Sequence, residues 1–330
     1  MNYTPAMDLS NELAIGIDIG GTNTKWGLVN HRGEIVQKGD IRTDDHPTVE
    51  GFIDTLYQTL QPVMAGVNSG VTIKGIGIGA PNGNYYKGTI EYAPNLDWKG
   101  VVPLAKMVTE RFNLTASLTN DANAAAVGEM IYGAARGMRD FIMITLGTGV
   151  GSGIVANGQL VYGHDGFAGE LGHTIIRPGG RKHWGTDAEG SLEAYCSATG
   201  IVLTAHEFLD RTSIDSTLRD IDPSLIDAKK VYECAMQGDE LAKEVYQLTG
   251  QILGESLANF IMFSSPEAII LFGGVIKAGD LLMQPTKEHM EKNLLPIFRN
   301  KVKLVFSELK EADAAILGAS ALVWERREGL

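Results

Sequence analysis

The sequence predicts an α/β protein assembled from two similar halves. Three observations lead there. Strand-like apolar runs alternate with helix-like stretches from end to end. A short apolar strand, a glycine-rich loop and a hairpin occur twice in the same order. The chain has 330 residues, 44% hydrophobic and 21% charged, which is ordinary globular composition and long enough for two domains with a substantial core.

Taken in order, the first strand covers 13–19 and leads into Ile17-Asp18-Ile19-Gly20-Gly21-Thr22-Asn23-Thr24-Lys25. Gly27-Leu28-Val29, the polar turn Asn30-His31-Arg32-Gly33 and Glu34-Ile35-Val36 then alternate as a half-buried hairpin does. Helices are expected at 49–64, 102–112 and 122–132, and strands at 73–79, 115–118 and 141–145. The second loop, Leu146-Gly147-Thr148-Gly149-Val150-Gly151-Ser152-Gly153, is followed by Ile154-Val155, the turn Ala156-Asn157-Gly158 and Gln159-Leu160-Val161. The stretch 210–227 is polar, carries Pro223 and reads as a surface excursion. Leu241, Val245, Leu248, Ile252, Leu253, Leu257 and Ile261 recur at helical spacing and predict one long helix over 240–263. A strand at 268–272, a turn at Gly273-Gly274 and a helix near Leu281 follow. The last helix, 313–328, is expected to pack back on the first half. With a boundary placed near Asn120-Asp121, the expected domains are 1–121, with about 313–330 returned to it, and 122–312.

Glycines in the two loops let the backbone turn with positive φ and approach a phosphate, so that successive N–H groups converge on its oxygens. Neither loop has the Gly-Lys-Ser/Thr ending of a Walker A motif or the glycine register of a dinucleotide fold. Two such loops on two facing halves would clamp a nucleotide tail. The net charge of −12, without any Lys/Arg-rich block, argues against nucleic acid and anionic membranes as main partners. Met1-Asn2-Tyr3-Thr4-Pro5-Ala6 has no basic region followed by an apolar stretch, and no apolar run reaches membrane-spanning length. The two cysteines, Cys196 and Cys234, form no disulfide framework or Cys-x-x-Cys pair, so a reducing cytoplasm is expected.

From about Leu13 onward the chain resembles the ROK family of sugar kinases and repressors, within the actin, hexokinase and Hsp70 ATPase superfamily. The resemblance rests on Asp18-Ile19-Gly20-Gly21-Thr22, Ala93-Pro94-Asn95-Leu96, Asn120-Asp121-Ala122-Asn123-Ala124, Leu146-Gly147-Thr148-Gly149-Val150-Gly151, Glu170-Leu171-Gly172-His173, Leu192-Glu193 and Leu271-Phe272-Gly273-Gly274, in that order. It implies duplicated actin-like (ribonuclease H-like) ATPase domains flanking a central cleft. It also implies ATP-dependent phosphorylation of a hexose, foremost glucose at its 6-hydroxyl. The alternatives are an N-acetylhexosamine or other hexose kinase, and a non-catalytic sugar-sensing regulator. Polyphosphate stays open as donor. The family's repressors carry a helix-turn-helix domain ahead of the first loop, and 12 residues precede Leu13, too few for one. A homodimer is the expected assembly.

The resemblance makes Asp121 the base that takes the proton of the attacking sugar hydroxyl, although an Asp at that position is ordinarily a helix cap. Asp18 would hold Mg²⁺ against the phosphates, or accept loop N–H groups. Lys25 reads equally as a phosphate contact or a solvated strand residue. Asn95, Asn120, Asp121, Glu170, His173 and Glu193 would bind the sugar. Gly20, Gly21, Thr22, Asn23, Gly147, Thr148, Gly149, Gly273 and Gly274 would hold ATP. Two departures stand out. Many family members carry a Cys-x-Cys-x4-Cys zinc cluster before the Leu-Glu pair, whereas 180–191 contains no cysteine. His173, His183, Asp187 and Glu189 could be imagined around a metal, but structural zinc favours thiolates. No structural zinc is therefore expected, with packing by Trp184 as its substitute in holding His173. Asn82 stands in Gly79-Ala80-Pro81-Asn82-Gly83 where the kinases usually have glycine, which leaves the choice of sugar open.

Overall fold

In the computed structural model, residues 11–68 and 70–325 are described. Met1 to Ala6, read above for a targeting signal, and positions 326–330, which the expected last helix and first domain included, lie outside them.

The chain opens with an antiparallel meander of β1 (Glu12–Ile19), β2 (Asn23–Asn30) and β3 (Ile35–Arg42). Helix α1 (Val49–Ala65) follows, its first turn capped by Thr48, whose hydroxyl accepts the Gly51 N–H at 3.3 Å. Strand β4 (Thr72–Gly79) then pairs parallel to β1. A small antiparallel sheet of β5 (Gly83–Asn84), β6 (Thr89–Glu91) and β7 (Val101–Val102) precedes α2 (Leu104–Phe112). Strand β8 (Ala116–Thr119) joins β4 in parallel, and α3 (Asp121–Tyr132) follows. The order across the sheet is β3-β2-β1-β4-β8.

The second sheet repeats that plan. Strands β9 (Phe141–Leu146), β10 (Val150–Ala156) and β11 (Gln159–Leu160) form its meander. A helical stretch intervenes: α4 (Glu193–Cys196), α5 (Ala198–Arg211), α6 (Ala228–Met236) and α7 (Glu240–Ser264). Strand β12 (Ala268–Phe272) is parallel to β9, α8 (Asp280–Asn293) packs on α7, and β13 (Lys303–Phe306) is parallel to β12. The order β11-β10-β9-β12-β13 matches the first sheet position for position. Finally, α9 (Glu311–Glu325) lies against β1, β2, β4 and α3.

Alternation along the strands dictates what covers each face. Ile15, Ile17, Ile76 and Ile78 point into a core shared with Phe52, Leu56 and Leu60 of α1 and Leu104 and Val108 of α2. The intervening residues face α9, and there the strands carry glycine. A Cβ on Gly77 would stand 1.8 Å from the Ala319 carbonyl oxygen, so the helix reaches the sheet only because no side chain intervenes. In the second sheet, Ile142, Ile144, Ile269 and Leu271 pack with the buried stripe of α7, including Val245, Leu253, Leu257 and Ile261.

Two compact units result: 11–137 with 162–168 and 308–325, and 138–161 with 169–307. The division falls past α3 rather than at the expected 121/122. The reason is packing: α3 lies along α9, so close that a Cβ on Gly128 would be 2.9 Å from Gly318 Cα. The segment 162–168 also joins the first unit. The Tyr162 ring stacks on Tyr85 at 4.2 Å, and Asn84 Nδ2 donates to the Asp165 carbonyl at 2.7 Å. The polar stretch 210–227 is pinned by buried Leu218 and Ile226, and the Asp239 carboxylate accepts from Ser216 and Thr217.

Candidate active site

In the first unit, the glycine loop is the tight connection between β1 and β2. Gly20 N–H donates to the Asn23 carbonyl at 3.0 Å, and the Thr22 carbonyl accepts from Thr43 N–H at 2.8 Å. The buried hydroxyls of Thr24 and Thr43 bond at 2.8 Å and brace the start of β2. Thr22 and Asn23 are left exposed. Asn95 sits directly against this loop, since a Cβ on Gly21 would lie 2.6 Å from its carbonyl oxygen. Asp18 and Lys25 face each other across β1 and β2, with Lys25 exposed.

Asn120 and Asp121 divide two tasks. Asn120 is the cap of α3, its Oδ1 accepting the Asn123 N–H at 2.7 Å. Asp121 therefore does not serve as the cap. One of its oxygens takes the Ala122 N–H at 2.8 Å, and the side chain stays exposed. Protein crowding raises the Asp121 carboxyl above 3.8, with the Ala122 N–H working the other way. Solvent contact keeps that carboxyl open to a ligand. Asp18 is half-buried, and its pKa is pushed up to about 6 by burial and then by the Asp121 charge, with Lys25 opposing. Both acids border Gly79, where a Cβ would be 3.8 Å from Asp18 Oδ1 and from Asp121 Cα. Two carboxyls thus share one neighbourhood beside the glycine loop.

Asn82 has φ 50°, the left-handed region that asparagine tolerates best after glycine. Its Nδ2 donates to the carbonyls of Glu91 at 3.0 Å and Tyr92 at 3.3 Å, just ahead of Ala93-Pro94-Asn95. The departure from glycine is thus a backbone brace, and its amide nitrogen is committed to that brace.

In the second unit, the loop 147–150 is tied to the start of α4 and α5. The Gly147 carbonyl accepts from Ala198 N–H at 2.8 Å, and the Thr148 carbonyl accepts from the Thr199 hydroxyl at 3.2 Å. Glu193 Oε2 accepts the Val150 N–H at 2.6 Å. The carboxylate lies flush on the loop, because a Cβ on Gly149 would be 2.4 Å from that oxygen. Gly273, with φ 104°, brings the end of β12 against Leu146. Glu170 and His173 are exposed on the turn 170–173, which is bound to β10 through Ser152, whose hydroxyl meets the Gly169 carbonyl and the Leu171 N–H. Asn95, Asn120, Asp121, Asp18 and Gly20 to Asn23 thus belong to the first unit. Glu170, His173, Glu193, Gly147 to Gly149, Gly273 and Gly274 belong to the second.

Sequence reasoning did not foresee the company Glu193 keeps. Glu193 Oε1 meets Nε2 of buried His183 at 2.5 Å, and the His183 ring stands edge-on to His173 at 5.5 Å. Trp184 stacks on His183 at 4.3 Å, rather than on His173. Among the described residues, His173, His183 and Glu193 bring ligand atoms within 4.8 Å of one another. Asp187 instead pairs with Lys182 at 2.8 Å, and Glu189 is exposed. The trio does not suit zinc. His183 Nδ1 accepts N–H groups from Gly185 at 3.0 Å and Thr186 at 3.1 Å. These donors assign the proton to Nε2, which faces Glu193, so no lone pair remains for a metal. No thiolate is present to compensate.

A family model described as the ROK family matches residues 14–326. A glucokinase of Halalkalibacterium halodurans is 34% identical over 98% of this chain and 98% of its own. A glucokinase of Thermotoga maritima is 35% identical over 96% and 98%. A crystal structure of a ROK family glucokinase from Streptomyces griseus, in complex with glucose and AMPPNP, superposes with a TM-score of 0.75 at 33% identity. That match covers 94% of this chain and 98% of the other.

Proposed function

Since the chain belongs to the ROK family, we propose that it is a sugar kinase that transfers the γ-phosphoryl group of ATP to a hexose, glucose at its 6-hydroxyl before others. Its fold is the duplicated actin-like ATPase fold. The reading is carried by one observation above all: Asn120 caps α3, which leaves Asp121 exposed beside Asp18 at the first glycine loop.

Phosphoryl transfer depends on alignment and charge neutralisation more than on covalent chemistry, so a single placed base suffices for the nucleophile. In this proposal Asp121 accepts the proton of the attacking hydroxyl, and its raised pKa strengthens it as a base while the Ala122 N–H holds its orientation. Asn95, Asn120, Glu170, His173 and Glu193 supply the mixed donors and acceptors that a polyol requires. Gly21, Thr22, Thr148 and Gly149 offer backbone N–H groups to the phosphates, and Gly20, Asn23, Gly147, Gly273 and Gly274 shape the loops and leave room for them, the Gly20 and Gly147 N–H groups closing the turns. The carboxyl pair of Asp18 and Asp121, only partly offset by Lys25, fits a divalent cation, and Asp18 is its proposed ligand. Mg²⁺ bound there would neutralise phosphate charge during transfer. The cytoplasmic location and the homodimer belong to the same proposal; sedimentation would check the dimer.

A coupled assay of ADP release over glucose, other hexoses and N-acetylhexosamines, with ATP or polyphosphate as donor, tests the reading. The largest kcat/KM is expected for glucose with ATP. Turnover on N-acetylhexosamines alone would move the substrate, and no turnover on any sugar would leave a sugar-sensing regulator.

A further inference from the structure

The cysteine-free stretch 181–190 is a small hairpin. Gly190 N–H donates to the Arg181 carbonyl and His183 N–H to the Ala188 carbonyl, both at 2.9 Å. Arg181 anchors its base. The guanidinium, 9% exposed, reaches Glu207 at 2.8 Å, the Ala194 carbonyl at 2.6 Å and the Thr204 hydroxyl at 2.9 Å. Its backbone N–H donates to the Tyr195 hydroxyl at 2.7 Å. These partners lie on α4 and α5, the helices that also hold the second glycine loop. At the far end, His183 is 4% exposed and sandwiched between Trp184 and Glu193.

We propose that His183 is a positioning residue for the second glycine loop, and that the hairpin is a metal-free clasp. As the Nε2–H tautomer, His183 donates to one oxygen of Glu193 and so turns the other oxygen onto the Val150 N–H. Two bonds to the carboxylate fix the Glu193 rotamer. The Val150 amide then has its acceptor, and the loop holds one conformation. A zinc ion would require the proton to move to Nδ1, into the N–H groups of Gly185 and Thr186. The metal-binding arrangement and the hydrogen-bonded arrangement exclude each other in this chain. The proposal rests on the kinase reading for its consequence, since Glu193 belongs to the proposed sugar set and Val150 follows the proposed nucleotide loop. The tautomer itself does not depend on that reading.

Two substitutions separate the ring's two faces. His183→Asn keeps an acceptor near the Nδ1 position for the turn and removes the donor to Glu193. His183→Gln places an amide N–H where Nε2–H was. Binding of a non-hydrolysable ATP analogue, measured by calorimetry, should weaken about tenfold or more in His183→Asn, the scale of a lost hydrogen bond to a charged group. It should stay within about threefold of the parent in His183→Gln. In a Glu193→Gln background, His183→Asn should add no further loss, because the relay is already broken. Nitrogen-15 correlation spectra of the parent protein should show the His183 proton on Nε2. Full additivity in the double variant, unchanged binding in His183→Asn, or about one zinc per chain by elemental analysis would overturn the clasp. A proton on Nδ1 would overturn it as well, whatever the turnover. Absent ADP release from the parent protein with an Nε2 proton would instead defeat the kinase reading and leave the clasp standing.

Discussion

At Asp18, burial and the Asp121 charge act against ionisation and Lys25 acts for it, with the net result near 6 rather than 3.8. A carboxyl whose folded pKa lies above its unfolded value binds more protons in the folded state over that interval. Its contribution to stability is therefore present at low pH and lost as pH rises from about 4 to about 6, with no further change above. The metal-free protein should show this against Asp18→Asn. The variant's melting temperature should gain on the parent across that window and then run parallel to it. A constant difference from pH 4 to pH 7 would mean that Asp18 titrates normally. Residues of this kind were legible as types and positions only. The Asp18 and Asp121 motifs named both acids, but their shared border at Gly79 depends on β4 lying between them. His183 was legible only as a conceivable metal ligand, since its partners Gly185, Thr186 and Glu193 come together only once the hairpin closes.

Among the elements, strands and long helices followed from periodicity because their neighbours bury one face each. The 25-residue α7 shows its apolar stripe plainly, and the two meanders declared themselves through alternation and turn residues. Alternation could not report what lies over Gly77. Its lack of a side chain reads as a weak strand position, whereas the fold uses it to admit the backbone of α9. Gly77→Ala would force a Cβ into the Ala319 carbonyl, which is backbone and has no rotamer to yield. The expected cost is about 1–3 kcal/mol or more, read as a lower denaturant midpoint with an unchanged m-value. A midpoint equal to the parent's would mean that α9 does not lie on β4 as described. The unit boundary escaped the sequence for a similar reason. It is set by α3 against α9, and by Tyr162 on Tyr85, pairs far apart along the chain.

For the whole molecule, Asn95, Asn120 and Asp121 belong to one unit and Glu170, His173 and Glu193 to the other, and each unit carries one glycine loop. Binding that orders a protein lowers the ordering cost that a second ligand meets. Sugar and ATP should therefore tighten one another by the same factor, a coupling of about 1–3 kcal/mol. Calorimetric titration of a non-hydrolysable ATP analogue with and without glucose would read it, and identical affinities would mean that the two sites are independent. The central claim, that Asp121 is the base of a glucose kinase, is tested most directly by the product and rate of Asp121→Asn beside the parent. With ATP, Mg²⁺ and glucose, the parent should form glucose 6-phosphate, identified by phosphorus NMR. The variant should bind glucose nearly as well, because the amide keeps the shape of the side chain, while its kcat falls by about 10²-fold or more. Near-parental kcat in Asp121→Asn, or no phosphorylated glucose from the parent, would contradict the account.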